Sequence, residues 1–331
     1  IRLAHILNDG NLDTSFNPDV NGNVLALALS SDKSTLFLGG SFTSVGGQTR
    51  NRIAAVNTSN GTVTSLDLDA NLKVNALMLS SDGGTLYIGG SFTTIGGQGR
   101  NFLASMETAN NTLTSFNPNL NSDVNALLFA PNGTTLYVGG LFSTVGGIAR
   151  NRLAAIDTTT GNLTSFNPDL TSGNVNALAI SSGGNTLFVG GNFNSIGGQA
   201  RNRVGGISTS TGLATSFNAN VISGVVHALA LSSDDATLYL GGQFDNIGGQ
   251  ARNHLAALEA LTGNATGWNP KATGFIYTLS FNSDQSSIFV GGSFPTIGEN
   301  VLTRNYIAKA DINGIIDSVF DPNANRTVWS F

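Results

Sequence analysis

Apolar residues in this chain come in short alternating runs and never at helical spacing. "VNALMLSS" (74–81) alternates and predicts a first strand, a. "GGTLYIGG" (83–90) predicts strand b, joined to a through "SSDG", whose Asp and Gly suit a tight turn. A loop follows, "SFTTIGGQGR" (91–100). "NFLASMET" (101–108) predicts strand c, and after the short turn "ANN" comes strand d, "TLTSF" (112–116). "NPNLNSD" (117–123) then carries the chain to the next strand a.

The same pattern returns along the whole chain. The double glycine that ends strand b begins at Gly39, Gly89, Gly139, Gly190, Gly241 and Gly291, with steps of 50, 50, 51, 51 and 50 residues. A constant period of this size marks a repeat architecture and matches a kelch-type propeller blade. A lone four-stranded sheet cannot bury both faces, whereas sheets set radially bury each against its neighbours. The expected fold is therefore all-β: a β-propeller of four-stranded antiparallel blades forming a single domain over 1–331. The blades are 24–68, 74–118, 124–168, 175–219, 226–270 and 276–322. A further c–d pair at 1–17 precedes six a–b pairs, and 326–331 repeats the start of strand a. This predicts six complete blades plus a seventh split between the N- and C-termini, with no residues for its strand b.

Composition narrows the setting. Only 11% of the residues are charged and the net charge is −5, with no Lys/Arg cluster, which argues against nucleic acid as a partner. Cysteine is absent, excluding disulfides and Cys-based metal sites. No run of 18 apolar residues occurs, so no membrane span is expected in this chain. No basic run followed by an apolar core occurs, so no signal peptide is expected within this chain, and since the first repeat opens in mid-period this says little about export. A charge-poor composition rich in Asn, Thr, Ser and Gly tilts the expectation toward export.

At "RLAHILNDGNLDTSFNPDV" (2–20) and "LFLGGSFTSVGGQTRNRIAAVN" (36–57) the wording resembles the delta-60 repeat β-propeller family. That family is found mostly in exported bacterial surface proteins, and the wording is also similar to a fungal cortical marker. The resemblance spans essentially the whole chain. It implies a kelch-like propeller in an extracellular or cell-surface setting and brings no catalytic residues. The chain departs from it in a shorter first c–d turn and in the last loop, "GGSFPTIGENVLTRN" (291–305), which puts Glu299 in place of a glycine and adds residues.

The repeated residues read first as framework. A phosphate cradle needs a strand feeding a helix, and here strand feeds strand. The glycines of strand b are expected to allow close packing and positive φ. Arg50, Arg100, Arg150, Arg201, Arg252 and Arg304 recur after strand b, and a five-donor guanidinium can tie several loop carbonyls at once; anion binding is the sharper alternative. Before each strand a stands a polar residue: Asp19, Asp69, Asn119, Asp169, Asn220, Lys271 and Asn323. Turn capping explains these, and a cation or a sugar is the alternative that Lys271 weakens.

Three histidines, His5, His227 and His254, form no spaced ligand pair, so no metal and no cofactor are expected. Non-repeated acids, Glu299 and Asp245, are the loop candidates for hydrolysis. Aromatics break the repeat more visibly. The place of Asn75, Asn125 and Asn176 is taken by His227, Tyr277 and Trp329, and Trp268 replaces the Phe that ends strand d. Such a patch suits stacking on a sugar ring, or adjusts packing beside a seam.

These readings predict a non-enzymatic structural or adhesive module of a cell-surface, fibre or matrix protein. Its partners are a protein or glycan at the surface, with filament-like self-assembly through the split blade as an added possibility. A carbohydrate-binding propeller using Trp268, Tyr277 and Trp329 is the first alternative. A polysaccharide hydrolase or lyase is the second.

Overall fold

The computed structural model describes residues 2–7, 9–299 and 302–331. Ile1 and Asn8 of the first half-repeat, and Asn300 and Val301 among the residues added to the last loop, lie outside them. The chain divides into two compact units: residues 1–7 with 12–165, and residues 8–11 with 166–331.

The first unit holds three blades. Their a strands are Val24–Leu29, Val74–Leu79 and Val124–Phe129; their b strands are Thr35–Gly40, Thr85–Gly90 and Thr135–Gly140; their c strands are Ile53–Asn57, Leu103–Glu107 and Leu153–Asp157. In each blade a, b and c run antiparallel in that order. Strand d is much shorter than its sequence suggests. It is a two-residue strand, Thr112–Leu113, in the second blade, and a single bridge, Val56↔Val63 or Ile156↔Leu163, in the others.

The second unit repeats the plan. Its a strands are Val175–Ile180, Val225–Leu231 and Ile276–Phe281; its b strands are Thr186–Gly191, Thr237–Gln243 and Ser287–Gly292; its c strands are Val204–Ser208, Leu255–Glu259 and Ile307–Asp311. Its d strands are the bridges Ile207↔Ala214, Leu258↔Ala265 and Ala310↔Ile316. In this unit the chain end continues the row: the Val328 amide donates to Gly292 O. A Cβ on Gly291 would lie 2.7 Å from Val328 Cγ1, which takes the place that Ile276 holds against Gly241. Gly10, from the N-terminal c–d turn, lies against Phe320 as Gly314 lies against Trp268.

Cores form between blades. Phe37, Ile53 and Ala55 of one sheet share a cluster with Val74, Leu77, Ile88 and Met106 of the next. The double glycine makes this approach possible. A Cβ on Gly39 would stand 2.6 Å from Val74 Cγ1, and one on Gly40 would stand 2.0 Å from Asn23 O. Neither glycine has a positive φ, so the expectation of positive φ there is corrected to close approach alone. Positive φ belongs to the next glycine pair, Gly46 (56°) and Gly47 (72°). They form the tip of a small hairpin, Ser44–Val45 against Gln48–Thr49, inside what the sequence presents as a plain loop.

Each a–b ladder also carries one irregularity at one place. Val24 pairs with Gly40 and Ala26 with Gly39, so the register shifts at Leu25, the bulge residue. The equivalents are Asn75, Asn125, Asn176, His227 and Tyr277.

Candidate functional site

The repeated arginines turn inward onto backbone. In the first unit, Arg50 Nη1 donates to Thr49 O (2.7 Å) and Nη2 to Thr64 O (3.1 Å). Arg100 does the same to Gly99 O and Thr114 O, and Arg150 to Ala149 O and Thr164 O. In the second unit Arg201 bonds Ala200 O, Thr215 O and, through Nε, Phe217 O. Arg252 bonds Ala251 O and Thr266 O, and Arg304 bonds Thr303 O and Ser318 O. Each guanidinium thus joins the small hairpin to the d segment fourteen residues later. Arg50 and Arg304 also face Asp67 and Asp321 at 3.7 and 3.4 Å.

The polar residues before strand a share a left-handed backbone: φ is 44° at Asp19, 43° at Asp69, 56° at Asn119, 47° at Asp169, 43° at Asn220, 54° at Lys271 and 47° at Asn323. Asn and Asp tolerate this region best among residues with a Cβ. Several also accept the amide of the asparagine that follows the repeated arginine: Asn51 to Asp69 (2.6 Å), Asn101 to Asn119 (2.7 Å), Asn202 to Asn220 (3.0 Å) and Asn305 to Asn323 (2.7 Å). Lys271 instead pairs with Glu299 at 2.9 Å, both side chains being exposed.

Behind the Asx positions a second clamp acts. Asn21 Oδ1 accepts from the Thr43 and Ser44 amides, and Asn71 and Asn121 repeat this. A cleft of about 410 Å³ in the second unit lies on the corresponding surface, between Asn167–Thr171 and the hairpin Ser195–Ala200. Thr171 replaces the clamp asparagine there and reaches Ser195 Oγ at 2.7 Å.

The aromatic substitutions separate into two groups. Trp268 is a core residue: 5% exposed, edge-on to Tyr239 at 5.0 Å, its indole N–H donating to Asp311 O at 2.9 Å. It does not join Tyr277 and Trp329, which corrects the patch expected from the sequence. His227 takes its place. The His227 and Tyr277 rings lie 5.1 Å apart and the Tyr277 and Trp329 rings 4.4 Å apart, tilted by 49° and 32°. Trp329 is 37% exposed. Burial pushes the His227 pKa below the ordinary histidine value, so the ring is neutral at neutral pH. Where asparagine stands at this place, its amide instead reaches the next strand: Asn75 Nδ2 to Val124 O (3.0 Å) and Asn176 Nδ2 to Val226 O (3.3 Å).

The remaining candidates stand apart. His5 meets Asp13 at 3.0 Å in the first unit; Asp13, bonded by Ser15 and His5, has its pKa lowered to about 2. His254 sits edge-on to Phe275, and burial lowers its pKa. Glu299 is committed to Lys271, and among the described residues no group of His, Asp or Glu is placed to hold a metal ion. One repeated position escapes the sequence reading altogether. Arg52, Phe102, Arg152, Arg203, His254 and Tyr306, each opening strand c, have φ between 61° and 67°. Four residue types share this backbone, so no residue signal announces it.

The sequence matches the family described as the Rax2 C-terminal beta propeller domain over residues 53–170 and 103–235, which together exceed half of the chain. It also matches a domain of unknown function, the DUF5122 beta-propeller, over residues 35–63. No curated protein matches it. Among solved structures, a chain from a crystal structure of the mitotic checkpoint complex is similar with a TM-score of 0.66 at 16% identity. That alignment covers 100% of this chain and 90% of the other. At such identity the likeness concerns the fold alone, and 1294 chains of solved structures match this chain significantly.

Proposed function

Because the chain belongs to the β-propeller family of Rax2 C-terminal domains, we propose that it works as a non-enzymatic binding module of a cell-surface, fibre or matrix protein. It holds protein or glycan partners and does not transform them. The observation that carries this reading is the fate of the repeated polar side chains. The terminal nitrogens of the six arginines bond backbone carbonyls, and four Asx residues accept from asparagines. A propeller that catalyses needs one blade whose loops assemble a distinct set of reactive groups. Here the non-repeated Glu299 is exposed and salt-bridged to Lys271.

The same framework reading applies to Arg50 and its equivalents: they fix the hairpin to the d segment and do not receive an anion. Incubation with a panel of polysaccharides, followed by assay for new reducing ends or unsaturated products, tests the non-enzymatic part. No product is expected. Turnover lost in Glu299→Gln would contradict it. Protease accessibility of the native protein on intact cells tests the surface setting, and complete protection until lysis would contradict that.

A further inference from the structure

We propose that Trp329, the exposed end of a stack of rings backed by Tyr277 and His227, is a platform on which the apolar face of a neutral sugar ring stacks. The inference rests on the binding-module reading and names the ligand class.

Four observations carry it. The first is position: His227 and Tyr277 are the bulge residues of their ladders, and Trp329 follows Val328 as they follow Val226 and Ile276. A bulge releases a residue from the ladder and re-aims its side chain, which is why bulges gather beside binding sites. The second is that the framework does not need rings there. Asn75 and Asn176 serve the same place by bonding the next strand's carbonyl. The aromatics of the second unit give up that bond and contact one another instead.

The third is access: Trp329 ends the stack 37% exposed, while the other tryptophan is sealed in the core at 5%. The fourth is charge. The segments that bear the three rings, VVHALAL, IYTLSF and the terminal VWSF, contain no Lys, Arg, Asp or Glu. An aromatic surface on segments without charged side chains favours a ligand with a flat apolar face and neutral hydroxyls.

The test is titration of the whole chain with cellohexaose, laminarihexaose, mannohexaose and chitohexaose, and with an acidic hyaluronan hexamer. Binding is followed by calorimetry and tryptophan fluorescence. At least one neutral oligomer is expected to bind and the acidic one to bind more weakly. Tyr277→Asn and Trp329→Ala should each weaken binding by about tenfold or more. The fluorescence response should vanish in Trp329→Ala although Trp268 still emits. Tyr277→Asn installs the residue native to equivalent blades, so its melting temperature should stay at the parent value, and loss of binding cannot be ascribed to unfolding. Absence of binding to every neutral oligomer at millimolar concentration overturns the proposal, as does binding that survives both substitutions. Cleavage of a bound oligomer would overturn the non-enzymatic reading while leaving the platform standing.

Discussion

At the scale of single residues, repetition and exception do different work. Arg150 illustrates repetition. Its two backbone bonds, an exposed one to Ala149 O and a part-buried one to Thr164 O, are charge-assisted. Arg150→Ala should lower unfolding free energy by about 2–3 kcal/mol, measured by urea denaturation. An unchanged midpoint would contradict the framework role. His227 illustrates exception. Its pKa is depressed by burial, so as pH falls below the ordinary value near 6.5 the unfolded chain takes up the proton first. The stability this ring allows is present above that pH and is lost on acidification. His227→Asn should flatten part of the fall in melting temperature between neutral pH and about 5. Identical slopes in both proteins would contradict it, because His254, also depressed, remains in both.

At the scale of elements, the glycines provide the sharpest contrast. A Cβ on Gly89 would stand 2.5 Å from Val124 Cγ1, between two sheets. Gly89→Ala should cost about 1–3 kcal/mol or more by overpacking. Gly97, at the hairpin tip, has φ 70° and nothing within 4 Å of a Cβ, so Gly97→Asn should cost well under the Gly89 change. Thermal melts of both variants decide this, and equal losses would contradict the assignment of one pair to packing and the other to turning.

Strands a, b and c were legible because each is long enough to show period two: Val74–Leu79, Thr85–Gly90 and Leu103–Glu107 fall inside the segments read from pattern. The hairpin Thr94–Ile95 with Gln98–Gly99 was not, since two residues cannot display alternation, although "GG" at its tip was the available sign. The bulge was equally hidden. It depends on pairing across the ladder, and only the switch from Asn to aromatic marked the place. Trp268 misled because it breaks the repeat together with His227, Tyr277 and Trp329, while its ring fills the space that Phe116, Phe166 and Phe217 fill elsewhere.

At the scale of the molecule, the fold is a β-propeller of small antiparallel sheets, none of which holds a complete core. The cluster joining Phe37 and Ile53 to Val74 and Ile88 belongs to two blades at once. A peptide covering one period, residues 74–122, should therefore be unfolded by circular dichroism and by amide exchange. A cooperative melt from that peptide would contradict the dependence of each sheet on its neighbour. The same plan explains how a chain with 11% charged residues commits its repeated arginines to backbone and still leaves a position open to change: the bulge is set by backbone pairing and tolerates Leu25, Asn75, His227 or Tyr277 alike.

The division between framework and binding residues is the central claim, and a paired comparison of Arg150→Ala with Tyr277→Asn tests it most directly. Melting temperature and affinity for the best neutral oligomer are measured on both. The prediction is a crossed result: Arg150→Ala melts lower and binds like the parent, while Tyr277→Asn melts like the parent and binds at least about tenfold more weakly. If Arg150→Ala loses binding at unchanged melting temperature, or Tyr277→Asn keeps it, the division is contradicted.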